Sequence, residues 1–416
     1  MFKKLISFDE AKQIIDELQL ESVGSEVVPL GSASGRVLSS DVESPVDVPP
    51  FDRATVDGFT VRAADTYGAE EHDPVVLMLK GAVEIGEQPR CSVGKDETWR
   101  IATGAPIPDG ADAVVMVENT TEKKSEVQVY RAVVKGENVM KAGSDIKKEQ
   151  VVFGDRTLLN SRRVGVLAAL GFAMIPVLKH PRIGLISTGA EIVKPGERLP
   201  PGKIYDINAY TLASAITESG GEAVDFGIVR DDDIEALKKV LQEALTATDV
   251  VVTSGGVSVG PKDVVPKILD SLGKPGVIIH GVAVKPGKPL AVAVVQGKPV
   301  FALPGNPTSS LLIFHLLVRP VLLWLAGRKS GKLRVTNAKL SRRVFSAKGR
   351  RTYVTVSLSK GKDGEWAALP VASGQSGAIT TMAMAEGYVE LPENAPFTEE
   401  GQLMRVVLFE DAERVD

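Results

Sequence analysis

The sequence predicts a multidomain protein in which a parallel α/β sandwich is joined to two smaller β-rich domains and a linking helical and extended domain. Apolar strands alternate with helices between residues 182 and 326, which is typical of a largely parallel sheet covered on both faces. Short alternating strands occur on both sides of this region, and 416 residues at roughly 150 per domain correspond to two to four domains. The expected division is a linking domain from residues 1–50 and 140–178, a small β domain at 51–139, an α/β domain at 179–328 and a β-barrel at 329–416.

The composition argues against several classes of protein. Lys and Arg number 49 against 53 Asp and Glu, with no basic block, which argues against nucleic-acid binding. The start, MFKKLISFDEAK, has no apolar segment behind its lysines, so we expect no signal peptide. Residues 311–326 are apolar, but His315, Arg319 and Pro320 interrupt them short of the ~18 to 20 residues of a membrane span, so we expect a buried helix. The single cysteine, Cys91, excludes an internal disulfide framework and a cysteine-based zinc site, and we expect a cytoplasmic protein without membrane contact.

The first helix is predicted by a capping box, Ser7 with Glu10, followed by apolar residues at helical spacing. These apolar residues are Ala11, Ile14, Ile15 and Leu18. Residues 26–50 are extended and rich in turns, and the runs VVLML, TWRIA, AVVMVE and EVQVYRAVV predict the strands of the small β domain. A second short helix, Asn160–Leu170, begins at its asparagine cap and is stopped by Gly171.

Two polar segments in this half are candidates for function. The segment FDRATVDGF (51–59) sets aspartates beside a glycine, although aspartates at turns commonly bond only their own backbone. The segment TGAPIPDGAD (103–112) holds two prolines and two glycines, which make a rigid polar loop that a simple strand connection does not require. Cys91 lies before this loop with no histidine nearby, which favours a bystander over a nucleophile.

The α/β region is predicted as a succession of strands and helices. The strands are RIGLIST (182–188), EAVDFGIV (222–229), Val250–Thr253, VIIHGVAV, LAVAVV and VFALPG. One helix runs from about Asn208 to Ser219, and another follows Asp231–Asp233. The apolar face of this second helix is Ile234, Leu237, Val240, Leu241 and Leu245. A long apolar helix begins with Asn306 as its cap and Pro307 in its first turn.

A glycine-rich turn, Ser254–Gly260, follows the buried strand at residues 250–253. Missing Cβ atoms let backbone N–H groups approach a ligand, and a following helix N-terminus favours negative charge, so the turn is a candidate anion pocket. Its spacing is neither G-x-G-x-x-G nor G-x-x-x-x-G-K-[ST], which excludes a dinucleotide fingerprint and a Walker loop. Taken alone, a glycine turn after a strand is ordinary.

Polar loops follow several strands, and the carboxyl ends of parallel strands lie on one edge of a sheet, so these loops should converge. The loops are 187–191, 230–232, 254–263, 285–289 and 303–307. Oxygen ligands from Glu191, Asp231 or Asp263 suit Mg²⁺, and Lys285 and Lys288 suit a phosphate or another oxyanion. Each residue also has a structural interpretation, namely an N-cap for Asp231, a solvated loop residue for Glu191 and ordinary surface charge for the lysines.

Six motifs occur in order along the chain: TVDGF, ATGAPIPDGADAVV, STGAEIV, VTSGGVSVGPKD, VKPGKP and LPGNPTSS. Together they resemble the MoeA/gephyrin E-domain family of molybdopterin molybdenumtransferases, over nearly the whole chain. The resemblance implies four subdomains, a molybdopterin-binding α/β domain and an elongated homodimer. The active-site cleft is expected between that domain and the β domain of the partner subunit. The implied reaction is Mg²⁺-dependent hydrolysis of adenylylated molybdopterin (molybdopterin-AMP), insertion of molybdate and release of AMP.

The resemblance also assigns roles by motif. Asp57 and Thr103 would reach into the partner's cleft, and Glu191, Asp231 and Asp263 would be catalytic carboxylates that position water or bind Mg²⁺. The substrate-binding set would be Ser187, Thr188, Gly189, Ser254, Gly255, Gly256, Ser258, Gly260, Lys285, Lys288, Pro304, Gly305 and Asn306. In the last domain Arg350 and Ser376 would contact molybdate, with Arg351 competing for the role of the arginine. A molybdopterin adenylyltransferase and molybdoenzymes would be transient partners.

Two motifs depart from the family pattern. Ala190 stands where the family often has aspartate, which puts the usual Mg²⁺ site in question. The family's usual Met-Asp-Gly-Tyr is Val-Asp-Gly-Phe here, so Val56 and Phe59 differ while Asp57 is retained. Two other functions stay open: a non-catalytic scaffold that binds peptides, and an adenylyltransferase that acts on molybdopterin. The intact carboxylates and lysines argue against the first, and the additional β domains with the TGAP motif argue against the second. Molybdate and tungstate, both tetrahedral dianions, are not distinguished by the sequence.

Overall fold

The computed structural model describes residues 5–257, 264–328, 333–361, 364–371, 379–391, 393 and 395–409. The chain forms two compact units. The large unit contains residues 1–28, 35–39 and 176–416, and the small unit contains residues 29–34 and 40–175. The division into four domains is finer than this and stays a prediction.

The described helices and strands have the following bounds. The helices are α1 Phe8–Asp16, α2 Ser161–Ala169, α3 Asn208–Glu218, α4 Ile234–Ala247, α5 Val265–Leu272, α6 Pro307–Ile313, α7 Arg319–Leu325 and α8 Thr380–Ala383, with a π-helical turn, Phe314–Val318, between α6 and α7. The strands up to residue 178 are β1 Ser25–Pro29, β2 Val42–Glu43, β3 Arg53–Ala54, β4 Gly58–Val61, β5 Val75–Val83, β6 Glu97–Ile101, β7 Ala113–Met116, β8 Thr120–Lys123, β9 Glu126–Val129, β10 Val139–Met140, β11 Val151–Phe153 and β12 Met174–Leu178. The later strands are β13 Arg182–Thr188, β14 Ile192–Val193, β15 Ile204–Tyr205, β16 Glu222–Val229, β17 Val250–Ser254, β18 Pro275–His280, β19 Val284–Lys285, β20 Ala291–Val295, β21 Lys298–Leu303, β22 Val335–Leu340, β23 Val344–Phe345, β24 Arg351–Lys360, β25 Trp366–Pro370, β26 Gly387–Leu391, β27 Phe397–Thr398 and β28 Leu403–Leu408.

The central sheet of the large unit has the strand order β16-β13-β17-β21-β20-β18. Strands β16, β13, β17 and β21 run parallel, as their nearly unbroken apolar sequences predict. Strand β20 is antiparallel to both of its neighbours, which is an exception to the βαβ alternation. Gln296 and Gly297 both have positive φ and connect β20 to β21 in a two-residue hairpin turn. The sheet is therefore parallel over four strands and antiparallel at its other edge.

Helices cover both faces of this sheet, as the sequence predicts. On one face α1, α3 and the helical segment from residue 307 pack around a core that includes Phe301 and Phe314. On the other face α4 and α5 contribute buried residues such as Leu237 and Leu241. Ile234 was expected on the buried face of α4, but it is the first residue of that helix and is 52% exposed. The capping residue of α4 is Asp233, whose side chain accepts a hydrogen bond from the N–H of Ala236, so the capping role considered for Asp231 is wrong.

The apolar segment Pro307–Leu325 is one helical stretch with the π-helical turn in its middle. By length and composition alone it is apolar enough to cross a membrane, with a mean hydropathy of 1.7. However, 67% of it is buried within the fold, which identifies it as a core helix. Asn306 occupies the N-cap position and Pro307 the first turn, but the Asn306 side chain makes no capping hydrogen bond.

The strands near the C-terminus close into a barrel. Strands β24, β25, β22, β28 and β26 pair in this order, and β26 pairs again with β24. The core of the barrel includes Val356, Val389 and Val406. Strand β19 adds to β24 in parallel, so that Val284 lies opposite Arg351. A segment from the α/β part of the sequence therefore belongs to the C-terminal sheet.

Helix α1 begins as predicted, because Ser7 Oγ accepts a hydrogen bond from the N–H of Glu10 at 3.1 Å. Its buried face includes Phe8 and Ile15. The Phe8 ring meets the ring of Tyr353 edge-on, with the ring centroids 5.6 Å apart. Within the large unit, α1 therefore packs against a strand of the C-terminal barrel.

The main sheet of the small unit has the strand order β7-β4-β6-β5-β9-β8. The predicted runs supply β5, β6, β7 and β9, and the sequence prediction missed β4 and β8. Strand β4 lies between β6 and β7, and all of its residues are buried. Helix α2 begins as predicted at Asn160, whose side chain accepts a hydrogen bond from the N–H of Arg163 at 3.1 Å.

Gly58→Ala should destabilise the small unit, because a Cβ at Gly58 would lie 1.9 Å from the carbonyl oxygen of Val115 on β7. Separating the paired strands to make room should lower the free energy of unfolding by about 3 kcal/mol. Gly165→Ala is the control: nothing lies within 4 Å of its Cβ, and alanine in α2 should add about 0.5–1 kcal/mol. Chemical denaturation measures both variants, and equal stabilities would contradict the close approach of β4 and β7.

Candidate functional site

The carboxyl ends of four parallel strands, β16, β13, β17 and β21, meet at one edge of the central sheet. Backbone hydrogen bonds connect the loops that leave them. Gly189 N–H donates to the carbonyl of Val229 at 3.1 Å, and Gly255 N–H donates to the carbonyl of Leu303 at 3.0 Å. These four loops therefore lie together, as the sequence predicts.

Close packing at this edge requires glycine at positions 255 and 256. A Cβ on Gly255 would lie 2.5 Å from the carbonyl oxygen of Thr188, and a Cβ on Gly256 would lie 2.6 Å from Cγ2 of Val265. Both glycines also have a positive φ, of +93° and +68°, which L side chains rarely adopt. The Thr188 hydroxyl donates to the carbonyl of Ser254 at 3.1 Å. The result is a turn of bare backbone, which is the form that phosphate-binding loops take.

A buried asparagine, Asn208, connects the loop after β17 to the loop after β21, and it was not predicted as a site residue from the sequence. It is the first residue of α3 and is 6% exposed. Its Nδ2 donates to Ser254 Oγ at 2.5 Å and to the carbonyl of Gly305 at 2.8 Å. An asparagine at a helix start is normally interpreted as a cap, and that common interpretation conceals its second role.

The carboxylates of the neighbouring loops differ in their surroundings. Glu191 is exposed, and its side chain lies back over Gly189, since a Cβ built there would be 3.0 Å from Glu191 Oε2. Of the three consecutive aspartates, Asp232 accepts two hydrogen bonds from Arg230, at 2.9 and 2.7 Å, and Asp233 caps α4. Asp231 has neither role. It is half-buried and lies two residues after the end of β16 at Val229.

The residues of this edge fit Mg²⁺ only if a bound substrate supplies further oxygen ligands. Among the residues that the structure describes, no three His, Cys, Asp or Glu side chains form a ready-made metal cluster. Mg²⁺ typically takes one or two carboxylates together with substrate phosphates, so Asp231 and Glu191 beside the glycine turn are a suitable donor set. The third carboxylate, Asp263, lies outside the described residues.

The loop with the two lysines does not leave a strand of the central sheet, contrary to prediction. Lys285 ends β19, opposite Thr352 of β24. Gly287 packs against the core helix, since a Cβ there would lie 2.3 Å from Cγ1 of Ile313. The exposed Lys285 is thus brought next to the beginning of β24, and the half-buried Lys288 follows three residues later, where its carbonyl accepts a hydrogen bond from the N–H of Val282.

The neighbouring arginines, Arg350 and Arg351, have different roles. Arg351 donates to both carboxylate oxygens of Asp9 at 2.7 Å and to Glu393 at 2.9 Å. The hydrogen bond to Asp9 is the main cause that raises the pKa of Arg351 above its ordinary value. The two bonds to Asp9 hold Arg351 to α1. Arg350, half-buried just before β24, is therefore the arginine better suited to a ligand close to Lys285.

In the small unit, Asp57 and Thr103 form a contact of their own. Asp57 precedes β4 and Thr103 follows β6, and the antiparallel pairing of Gly58 with Ile101 brings them together. Asp57 Oδ1 accepts hydrogen bonds from the Thr103 N–H at 2.7 Å and from the Thr103 hydroxyl at 2.8 Å. These two bonds, the backbone one first, hold the pKa of Asp57 below its ordinary value. Asp57 is exposed and is kept as an oriented carboxylate.

Cys91 fits the interpretation as a bystander, and His280, which lies inside a predicted strand, was expected to be structural. Burial raises the pKa of the Cys91 thiol, which lowers its reactivity as a nucleophile. His280 is the last residue of β18 in the central sheet. The predicted ligands Ser258, Gly260 and Ser376 lie outside the described residues.

Three family profiles match the chain in order. They are described as the MoeA N-terminal region (domain I and II) over residues 6–171, the "Probable molybdopterin binding domain" over residues 184–324, and the MoeA C-terminal region (domain IV) over residues 337–409. The molybdopterin molybdenumtransferase 2 of Mycobacterium tuberculosis is 32% identical over 404 residues, covering 96% of this chain and 98% of that protein. The chain belongs to the MoeA family.

Other members of the MoeA family match the chain over a similar extent. The molybdopterin molybdenumtransferase of Bacillus subtilis is 32% identical over 411 residues, covering 98% of this chain and 94% of that protein. A solved structure of the molybdopterin biosynthesis MoeA protein from Pyrococcus horikosii aligns with a TM-score of 0.86 and 42% identity, and covers 98% of this chain and 100% of that one. The predicted fold class, a multidomain α/β protein with β-rich domains, is therefore confirmed.

The loop after β13 carries the departure from the MoeA pattern noted above, Ala190. The carbonyl of Ala190 accepts a hydrogen bond from Lys203 Nζ. Immediately after it, β14 pairs in parallel with β15. This member of the MoeA family thus fixes the loop by backbone contacts, and Glu191 is the carboxylate that the loop presents.

Thr103→Val should raise the pKa of Asp57 only part of the way to its ordinary value, because the N–H of residue 103, the larger cause of the depression, remains. Because folding lowers the pKa of Asp57, its ionised carboxylate stabilises the folded state at pH values above the ordinary pKa. This stabilisation is lost as the pH falls through the lowered pKa. An NMR titration of the Asp57 carboxyl carbon measures the change. Asp52, held by Lys141 and Ala142, is the control and should titrate as before. An unchanged titration of Asp57 would contradict the hydroxyl contact.

Proposed function

We propose that the chain is a molybdopterin molybdenumtransferase, which hydrolyses adenylylated molybdopterin, inserts molybdate into the dithiolene and releases AMP. Relatives over nearly the full length of the chain carry this name. The observation that carries the proposal is the pairing of β19 with β24, which places Lys285 opposite Thr352, two residues after Arg350. A glycine turn alone suits any phosphate, whereas this additional basic cluster suits a second oxyanion. The proposal therefore assigns molybdate to the basic cluster.

The residues of the sheet edge have separate tasks in this proposal. Gly255 and Gly256 leave the backbone bare, so that N–H groups of the turn other than that of Gly255, which is bonded to Leu303, hold the phosphate of the substrate. Ser187, Thr188 and Gly189 line the turn from β13, and Pro304, Gly305 and Asn306 line it from β21. Lys285, Lys288 and Arg350 neutralise molybdate and the charge that develops during its transfer.

The proposal includes Mg²⁺, held by Asp231 and Glu191 together with Asp263. A bound Mg²⁺ would supply polarisation of the phosphoryl oxygen. Asp231 and Glu191 also accept hydrogen bonds, so they orient the water that attacks the adenylate. Asp57, kept ionised by Thr103, is proposed to reach the cleft of a partner subunit in a homodimer. Sedimentation velocity tests this arrangement, and a monomer at working concentration would contradict it.

The same proposal includes a cytoplasmic location and two transient partners. A molybdopterin adenylyltransferase would supply the adenylylated substrate, and molybdoenzymes would receive the finished cofactor. Neither a nucleic acid nor a membrane is a proposed partner. Whether the transferred oxyanion is molybdate or tungstate is decided by competition between the two in the assay below.

The purified protein should release AMP from adenylylated molybdopterin only when molybdate and Mg²⁺ are both present. Asp231→Asn should lower the rate roughly a hundredfold, the size of effect typical for a lost catalytic contact. Asp232→Asn is the control, because Asp232 is bonded to Arg230, and it should stay near the wild-type rate. Tight binding of the substrate without AMP release would favour the scaffold, and ATP-dependent adenylylation of molybdopterin would favour the adenylyltransferase.

Arg350→Gln should raise the molybdate concentration for half-maximal activity at least about tenfold, because it removes a charge-assisted hydrogen bond. Arg351→Gln should instead lower the stability, since Arg351 bonds Asp9 and Glu393, and should leave the molybdate dependence near that of the wild type. Steady-state kinetics with thermal denaturation measures both effects. A larger molybdate effect in Arg351→Gln would reverse the assignment of the two arginines.

A further inference from the structure

Asn208 combines deep burial with a contact to both glycine-bearing loops. Its side chain is 6% exposed, and both hydrogens of its amide are donated, one to Ser254 Oγ and one to the carbonyl of Gly305. Ser254 begins the glycine turn after β17, and Gly305 lies in the turn after β21. One side chain therefore fixes the separation of two turns that have few side chains to pack together.

The acceptor atom of the same amide has no hydrogen-bond partner among the described residues. Asn208 Oδ1 is buried, and it belongs to the amide whose Nδ2 bonds Ser254, the first residue of the glycine turn. Buried polar atoms without a partner are rare in folded proteins, and each such atom calls for a specific explanation. A phosphate diester or molybdate cannot satisfy this atom, because at neutral pH each offers only acceptors. A donor, N–H or O–H, is required.

We propose that Asn208 is a positioning and ligand-binding residue: its Nδ2 sets the shape of the glycine turn, and its Oδ1 accepts a hydrogen bond from an N–H or O–H of the organic part of the ligand. The positioning role rests on the contacts of this chain alone. The acceptor role rests on the proposed function, in which the ligand has a pterin and a ribose with such donors. Asn208 thereby distinguishes a phosphate ester with an organic donor from a bare phosphate.

Three variants separate the two roles. Asn208→Ala removes both, and Asn208→Ser does the same with a residue that suits a helix start. Ser254→Ala removes one of the two anchors of the amide and leaves Oδ1 in place. Thr253→Val is the matched control, because Thr253 neighbours Ser254 on β17, is buried, and has a hydroxyl without a partner among the described residues. A thermal melt of each variant shows whether it is folded.

The positioning role is tested without a ligand. Amide hydrogen exchange in residues 250–257 should accelerate about tenfold in both Asn208 variants, because each loses the bonds to Ser254 and Gly305. Thr253→Val should exchange as the wild type does. Unchanged exchange in both folded Asn208 variants would overturn the positioning role.

The acceptor role is tested by equilibrium binding with two probes, adenylylated molybdopterin and a pyrophosphate diester that has no O–H (dimethyl pyrophosphate with one methyl ester on each phosphorus, called pyrophosphate below). Asn208→Ala should weaken both, and should weaken adenylylated molybdopterin about tenfold more, because only this probe carries the organic donor. Ser254→Ala should weaken both by the same factor. Equal factors in Asn208→Ala would overturn the acceptor role. If the wild-type protein binds pyrophosphate but not adenylylated molybdopterin, the proposed function and the acceptor role both fail, while hydrogen exchange still decides the positioning role.

Discussion

The close approach of Gly255 to Thr188 is the constraint on which the sheet edge depends. A single added Cβ would overlap the carbonyl oxygen of Thr188, so two adjacent strands can deliver their loops to one point only while position 255 is bare. The loops are then held by backbone hydrogen bonds and by one buried amide, that of Asn208. The buried Asn208 Oδ1 has no hydrogen-bond partner among the described residues, and such an unbonded atom lowers the free energy of unfolding by about 1–3 kcal/mol.

The short segment Val284–Lys285 connects the two sheets of the large unit. In sequence it lies between β18 and β20 of the central sheet, yet it pairs with β24 of the barrel. Arg351 strengthens the same junction from the other side, because it bonds Asp9 of α1 and lies over the ring of Phe8 at 5.4 Å. Only 17% of the Arg351 side chain is exposed, but 71% of the Asp9 side chain is, so water screens this ion pair and the packing of Arg351 on Phe8 adds to the junction. The basic cluster is therefore built on a fixed junction.

The sequence predicts strands β13 and β16 at their observed limits, because each run is bounded on both sides by glycine, proline or charged turn residues. Where several neighbouring residues are chemically equivalent, the sequence does not show which of them takes a given structural role. Asp231, Asp232 and Asp233 can each cap a helix, and only the folded loop selects Asp233. The pairing of β19 was missed because two residues carry no periodicity. Asn208 was missed because its helix-start position explains it locally, and its second role depends on residues about 46 and 97 positions away.

The large unit is assembled from both ends of the chain, and the small unit from a continuous stretch of it apart from residues 29–34. Phe8 and Asp9 of α1 meet Tyr353 and Arg351, and the Arg351–Asp9 contact spans 342 positions. During synthesis, which proceeds from the N-terminus, the small unit has all of its residues when the ribosome has released residue 175. Helix α1 can pack on the central sheet once that sheet has formed, but its contacts with Tyr353 and Arg351 must wait until β24 emerges. The docking of α1 is therefore completed late, and until then the side of Phe8 that meets Tyr353 lacks this partner.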